Sequence, residues 1–274
     1  MSHEPPPPAS ATSTPTPTPM PMPPPSHTPL PAPRGRRVGP AAASPAAAPS
    51  PRTRTLRLGD EAVTGIVLAG GRSRRMGMDK AFIELAGRPL IAWVLDALAA
   101  VAERCVIVTH DEDARFERFG VPVVVDHVPA RGPLSGLHAG LTAAPTDLCL
   151  AVACDLPLVQ SSLLALLADA AADVLAAVPD AGASPLPDGG TTADVGAGGL
   201  QPLLAAYRRG CIPAIERLLA NGSAPASMVA STVPSVIVGP DRWRAADPDG
   251  RSFHNVNTLS DLATAAQWMN RLAP

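Results

Sequence analysis

From Val63 onward the chain alternates short apolar runs with segments whose apolar residues recur at helical spacing, and this alternation narrows the fold more than any other feature. VTGIVLAG (63–70), RCVIVTHD (104–111), VPVVVDH (121–127), DLCLAVACDLP (147–157) and DVLAAVPD (173–180) are continuous rather than alternating in polarity. Runs of that kind suit strands buried on both faces. Between them, LIAWVLDALAAVAE places Ile91, Val94, Leu95, Leu98 and Val101 on one helical face. SGLHAGLTAA reads as a second helix, and SSLLALLADAA as a third opened by serine caps. LQPLLAAYRRGCIPAIERLLANG adds a short strand and a helix, and SVIVGP a late edge strand. The chain closes with a polar turn and a helix capped by Thr258, with Asp261 at the capping-box position. Strands alternating with helices predict an α/β fold with a mostly parallel sheet covered by helices on both faces.

Residues 1–60 are different in kind. They hold about half of the prolines and almost no large aliphatic side chains. Such a segment buries too little surface to offset the entropy of ordering, so it predicts a disordered, partly polyproline-II tail. The domain organisation that follows is a Pro/Ala-rich tail over 1–60 and one folded domain over 61–274. The tail lacks the apolar core of a secretion signal, and no apolar run is long enough for a bilayer. A formal net charge of −2 gives no global field for nucleic acid, and 3% aromatic residues argue against base-stacking platforms. Cys105, Cys149, Cys154 and Cys211 form no C-x-x-C pair and no zinc spacing. They read as reduced thiols, and the expected location is cytoplasmic.

In open parallel sheets, ligands sit beyond the carboxyl ends of the strands, and the notable polar residues fall there. VLAGGRSRRMGMDKAF (67–82) ends a strand on Gly70 and Gly71, then crowds Arg72, Arg74, Arg75 and Lys80 together. It is neither a Walker loop, since Gly71 and Gly77 have five residues between them, nor a G-x-G-x-x-G fingerprint. Glycines let the backbone approach a ligand, and arginine forks and a lysine point charge suit phosphate oxygens. A solvated basic turn is the plainer reading, but cations this close repel one another and call for a polyanion.

Asp126 and Asp155 each end an apolar strand, where burying a lone charge is costly. On neighbouring strand ends the two would bind Mg²⁺ through carboxylate oxygens, with phosphates and waters completing the shell. Capping or loop hydrogen bonding is the alternative for each. Asp79 fits better as a group that orients Lys80 or an arginine. RGPLSG (131–136) is either an ordinary Gly-Pro turn or a backbone edge for a flat base. Asn255 and Asn257 alternate in HNVNT and suit either a turn or the polar edge of a ligand. No Ser-His-Asp or Cys-His set assembles. A phosphate monoester attacking a nucleoside triphosphate needs none, because its nucleophile is already ionised and alignment and charge suffice.

LAGGRSRRMGMDK, together with VVVD, GPLSG, CDLP, QPL and the terminal NVNT..DL, resembles the molybdenum cofactor guanylyltransferases, a branch of the nucleotidyltransferases. The match runs in order from about Thr64 to Gln267. The resemblance implies a Rossmann-like three-layer sandwich and an Mg²⁺-dependent transfer of GMP from GTP to the phosphate of molybdenum-molybdopterin. It implies nucleotide contacts from Leu68, Ala69, Gly70, Gly71, Lys80, Asp126, Asp155 and the Gly132–Pro133–Leu134 element. Lys80, Arg75 and Asp155 would carry catalysis, Asp155 would bind the metal, and Asn255 and Asn257 would lie on the molybdopterin side. Transient contact with proteins that carry molybdopterin or receive its product is implied as well. LAGG with GPL is the guanine-type pattern; related cytidylyltransferases usually read LAAG and lack GPL. A sugar-phosphate nucleotidyltransferase or a non-catalytic nucleotide-binding protein of the same fold are the other readings. One departure stands out: where the family often places an asparagine after its second strand, this chain has His110 and Asp111.

Overall fold

The computed structural model describes residues 61–70, 79–127, 132–182, 199–222 and 224–271. The expected tail over 1–60, Gly71, Arg75 and most of the glycine-rich 180–199 stretch lie outside the described residues. In order, the elements are β1 (Val63–Leu68), β2 (Glu84–Leu85), β3 (Arg88–Pro89), α1 (Leu90–Ala99), β4 (Arg104–Thr109), β5 (Val123–Val125), α2 (Pro133–Ala143) and β6 (Leu148–Ala153). They continue as α3 (Ser161–Ala170), β7 (Ala176–Pro179), β8 (Leu204–Arg208), α4 (Ile212–Ala220), α5 (Val229–Thr232), β9 (Ser235–Val238), α6 (Pro240–Trp243) and α7 (Leu259–Asn270).

Among the described residues a seven-stranded sheet runs β5-β4-β1-β6-β8-β7-β9. β1 pairs in parallel with both β4 and β6, β4 with β5, and β7 with β9. β8 runs antiparallel between β6 and β7. The three-layer α/β sandwich expected of the sequence is therefore present, with SVIVGP at the sheet edge.

Both faces are apolar because both are covered. Val63 and Val67 of β1 face one core with Leu148, Leu150 and Val152 of β6, closed by Ile91, Val94 and Leu98 of α1 and Leu163 and Leu167 of α3. Ile66 and Leu68 face the other, with Cys149 and Ala151, closed by Leu134, Leu137 and Leu141 of α2 and Ile215 of α4. A third cluster joins the β2–β3 hairpin to α7 through Ile83, Leu85, Leu90, Val256, Ala265 and Trp268. That cluster anchors two segments that reach the carboxyl edge of the sheet.

Two local expectations change. α3 has Gln160 at its N-cap with no side-chain cap bond, and Ser162 lies inside the helix, donating its hydroxyl to the Ala246 carbonyl at 2.6 Å. The acid-bearing strands are not neighbours: β4 and β1 separate β5 from β6. At about 4.8 Å per strand step, Asp126 and Asp155 stand roughly 14 Å apart, too far to share one ion.

α2 lies close on the sheet because Gly140 has no side chain. A Cβ there would meet Ile66 Cγ2 at 2.5 Å and Val108 Cγ2 at 3.2 Å, both on stiff β-branched residues. Gly140→Ala is therefore expected to destabilise the fold by about 1–3 kcal/mol through overpacking, reduced by up to roughly 1 kcal/mol of helix propensity. The urea midpoint reads the difference, and an unchanged or raised midpoint would contradict this packing.

The cysteines are unpaired, with Cys149, Cys154 and Cys211 buried and Cys105 half-buried. Burial pushes the Cys105 thiol up to about 11 and those of Cys149 and Cys211 up to about 12. An unfolded thiol ionises near 8.5. Above about pH 8.5 the unfolded chain binds fewer protons than the folded one, so stability falls as pH rises and keeps falling until the folded thiols ionise. The urea midpoint is expected to decline between pH 8.5 and about 11. Cys149→Ala should make that decline shallower; an equal slope would rule the thiol out as its source.

Candidate active site

A cavity of about 450 Å³ opens at the carboxyl ends of β1, β4 and β6. Of the side chains and backbones singled out in the sequence, Leu68, Gly70, Lys80, Pro133, Asp155, Asn255 and Asn257 line it. Ala69, Asp126, Gly132 and Leu134 do not.

Lys80 is placed by a short turn. Asp79 caps it, accepting from the Ala81 N–H at 3.2 Å, and Asp79 also takes the Arg115 guanidinium at 2.9 Å. The guanidinium lies over the Phe82 ring at 4.0 Å, so both neighbours of Lys80 in this turn are held. Lys80 Nζ donates to Asp155 Oδ2 at 2.9 Å and to Asn257 Oδ1. The lysine and aspartate side chains are 19% and 17% exposed, sheltered but reachable from the cavity.

Asp155 sits just past β6, and its carbonyl accepts from Val256 N–H at 2.9 Å. This bond ties the Asn255–Asn257 segment to the strand end. Asn257 is fixed from the other side by the capping box of α7, in which Asp261 accepts from the N–H groups of Asn257 and Thr258 at 2.9 and 2.7 Å. The two asparagines thus divide. Asn257 engages Lys80, whereas Asn255 lines the cavity without that contact.

The Gly70 end is built differently. The Ala69 N–H is already used by the Val108 carbonyl at 2.8 Å, and the next residue, Gly70, is exposed. A Cβ on Gly70 would stand 2.6 Å from the His110 ring, so a side chain there would displace the imidazole that lies over it. His110 Nδ1 is 3.4 Å from Asp126 Oδ2. The Asp126 carboxylate, on a residue only 5% exposed, accepts from Ser135 Oγ of α2 at 2.5 Å. Asp126 therefore faces Ser135 and His110 and holds the start of α2 against the β4 end. Gly132 precedes that helix at φ +71, a conformation few other residues adopt, which accounts for the glycine of GPL. Leu134 is buried in the core, leaving Pro133 and Gly136 as the cavity-facing part of the element. Of the two residues in the departing position, His110 lines the cavity and Asp111 does not.

Residues that drew no assignment from the sequence also line the cleft: Thr109, Gln201–Leu203 and Pro225–Ser227. QPL is among the motifs that carry the resemblance, without a role of its own. PAS (225–227) carries no comparable signal.

The mostly parallel seven-stranded sheet with helices on both faces is an α/β nucleotidyltransferase fold. The chain belongs to the family of MobA-like NTP transferase domains, whose model matches residues 65–235. It is 36% identical over 202 residues to a probable molybdenum cofactor guanylyltransferase of Pelotomaculum thermopropionicum, covering 74% of this chain and 91% of that protein. It is 35% identical over 211 residues to the molybdenum cofactor guanylyltransferase of Cereibacter sphaeroides, covering 76% and 97%. The crystal structure of molybdopterin-guanine dinucleotide biosynthesis protein A from Archaeoglobus fulgidus superposes with a TM-score of 0.62 at 26% identity, covering 76% of this chain and 99% of that one. The resemblance drawn from the sequence motifs is borne out.

The contact between Gly70 and His110 has a direct test. Gly70→Ala and His110→Ala are expected to be non-additive, with the second substitution relieving the first by about 0.5–3 kcal/mol in a denaturation cycle. Strict additivity would mean that the imidazole does not lie over the glycine.

Proposed function

We propose that this chain transfers GMP from GTP to the phosphate of molybdenum-molybdopterin, releasing pyrophosphate and forming molybdopterin guanine dinucleotide, in the cytoplasm. The observation that carries this reading is the Lys80 ammonium held by Asp155 and Asn257 at the carboxyl edge of the sheet. It stands in a cavity of about 450 Å³, within the usual range for ligand sites. Relatives that bear the name of this activity span nearly their whole length on the chain.

A phosphate oxygen of the acceptor attacks the α-phosphorus of GTP, and the bond from that phosphorus to the bridging oxygen of pyrophosphate breaks. The attacking oxygen is already ionised, so the chain supplies alignment and charge rather than a base. Lys80 presents fixed positive charge to the polyphosphate. Gly70 gives the nucleotide close approach to the end of β1, and His110 and Pro133 flank the space for its base. Gly71 and Arg75 would add backbone and charge contacts to the phosphates. LAGG and GPL favour guanine over cytosine.

Among the described residues no three His, Cys, Asp or Glu side chains cluster for a metal. One carboxylate beside a phosphate-binding lysine instead suits Mg²⁺, which keeps waters and substrate phosphates in its shell. Asp155 would hold the ion, which when bound supplies further positive charge to the polyphosphate.

With GTP, Mg²⁺ and molybdenum-loaded molybdopterin, the purified protein is expected to release pyrophosphate, and CTP should compete poorly. Asp155→Ala should lower turnover by about 100-fold or more while GTP binding stays measurable by calorimetry. A wild type that releases no pyrophosphate, or that prefers CTP, defeats the proposal.

A further inference from the structure

Gln201 carries a buried amide nitrogen that is unpaired among the described residues. It is 8% exposed and lines the cleft, yet its Nε2 is buried with no hydrogen-bond partner among the described residues. An unpaired buried donor is costly and is kept only where something compensates. The backbone around it is firmly tied. Gln201 N–H donates to the Pro179 carbonyl at 2.9 Å, its own carbonyl accepts from Leu204 N–H at 3.1 Å, and Ala153 N–H donates to the Leu203 carbonyl at 2.8 Å. The buried Tyr207 hydroxyl donates to the Pro202 carbonyl at 2.8 Å, fixing the turn from behind. The backbone that carries the amide is thus held on a tied edge, with the Nε2 donor unpaired among the described residues.

Its place in the sheet indicates what it waits for. Gly70, His110 and Pro133 belong to the β1–β4 side of Asp155. Gln201 leads into β8, which pairs with β6 on the opposite side. A ligand lying across Lys80 and Asp155 therefore has one end at Gly70 and the other at Gln201. The lining of the same cavity includes Pro202 and Leu203, next in the chain, and Pro225 and Ala226. Those apolar surfaces suit a flat ring and not a phosphate. A carboxamide presents a donor and an acceptor side by side, matching a ring carbonyl next to a ring N–H.

We propose that Gln201 recognises the acceptor through its heterocycle, the Nε2 donating to a ring carbonyl oxygen or ring nitrogen of the pterin. This inference rests on the transferase reading above. It adds the residue that selects the acceptor, on the opposite flank from the groups that meet the nucleotide.

Gln201→Leu keeps the bulk and removes the donor, and Gln201→Glu keeps the shape but, when ionised, only accepts. Calorimetric titration with molybdopterin and separately with GTP reads each ligand. Both variants should weaken molybdopterin binding by at least about tenfold and leave GTP affinity within about twofold. Without ligand, Gln201→Leu should melt at the same temperature as wild type or higher, because the orphaned donor is gone. Unchanged molybdopterin affinity overturns the assignment, as does a loss that falls on GTP. A lower melting temperature with both ligands weakened equally would make Gln201 structural and also overturn it. A wild type that binds GTP but not molybdopterin defeats the transferase reading first, and this inference with it.

Discussion

The cleft is organised around one ammonium group. Lys80 Nζ joins Asp155, which lies 75 residues further along the chain, to Asn257, which lies 177 residues further along. Each partner is set by a different layer of the fold. Lys80 rides on the turn packed beside the β2–β3 hairpin, Asp155 ends the central strand β6, and Asn257 hangs from the cap of α7. A half-sheltered ion pair contributes little to stability, because desolvating the charges offsets most of their attraction. Its effect here is positional: three elements that could drift apart are registered against a single charge. The third hydrophobic cluster makes this feasible, since it packs α7 and the hairpin on each other and so fixes both ends of the contact.

How much of this was legible in the sequence depends on the physics behind each signal. β1, β4 and β6 were readable because a strand covered on both faces must be apolar throughout, and the capping box of α7 because its two partners sit three residues apart. The direction of β8 was not, since a buried antiparallel strand has the same composition as a buried parallel one. The neighbourhood assumed for Asp126 and Asp155 failed for a related reason: residues beside a strand end identify the edge of the sheet but not the order of strands along it. The β2–β3 hairpin escaped notice because its turn uses Ala86 at φ +50 before Gly87 at φ +75. Alanine rarely takes that conformation, so only half of the usual turn signature was present. The serine caps of α3 misled because a hydroxyl near a helix start has several uses, and Ser162 bonds a distant carbonyl.

Asp126 shows how a strand-end acid serves a site without opening onto it. Its carboxylate receives the Ser135 hydroxyl and faces His110, whose ring in turn covers Gly70. The three contacts run from the helix after β5, across the end of β4, to the end of β1. A change at any of them is transmitted to the shape of the Gly70 end of the cavity. The histidine at the position where the family often has asparagine is therefore a wall of the cleft as well as a polar group, and it lies over the glycine beneath it.

The two flanks of the cleft are prepared for ligand in opposite ways. At the centre, Lys80 already has its partners, so one positive charge is largely cancelled by one negative charge before anything binds. Little attraction for a polyanion is left over from this pair alone. In the sequence, Arg72, Arg74 and Arg75 follow Gly70 and Gly71 directly. At the far side, Gln201 carries no charge, and its Nε2 is unpaired among the described residues. Charge selects for phosphate at long range and tolerates many bases and acceptors. A neutral donor held in one place discriminates by shape and hydrogen-bond pattern, because a ligand without the matching acceptor leaves it unpaired. The strand order, in which β1 and β8 flank β6, puts Gly70 and Gln201 on opposite sides of Asp155.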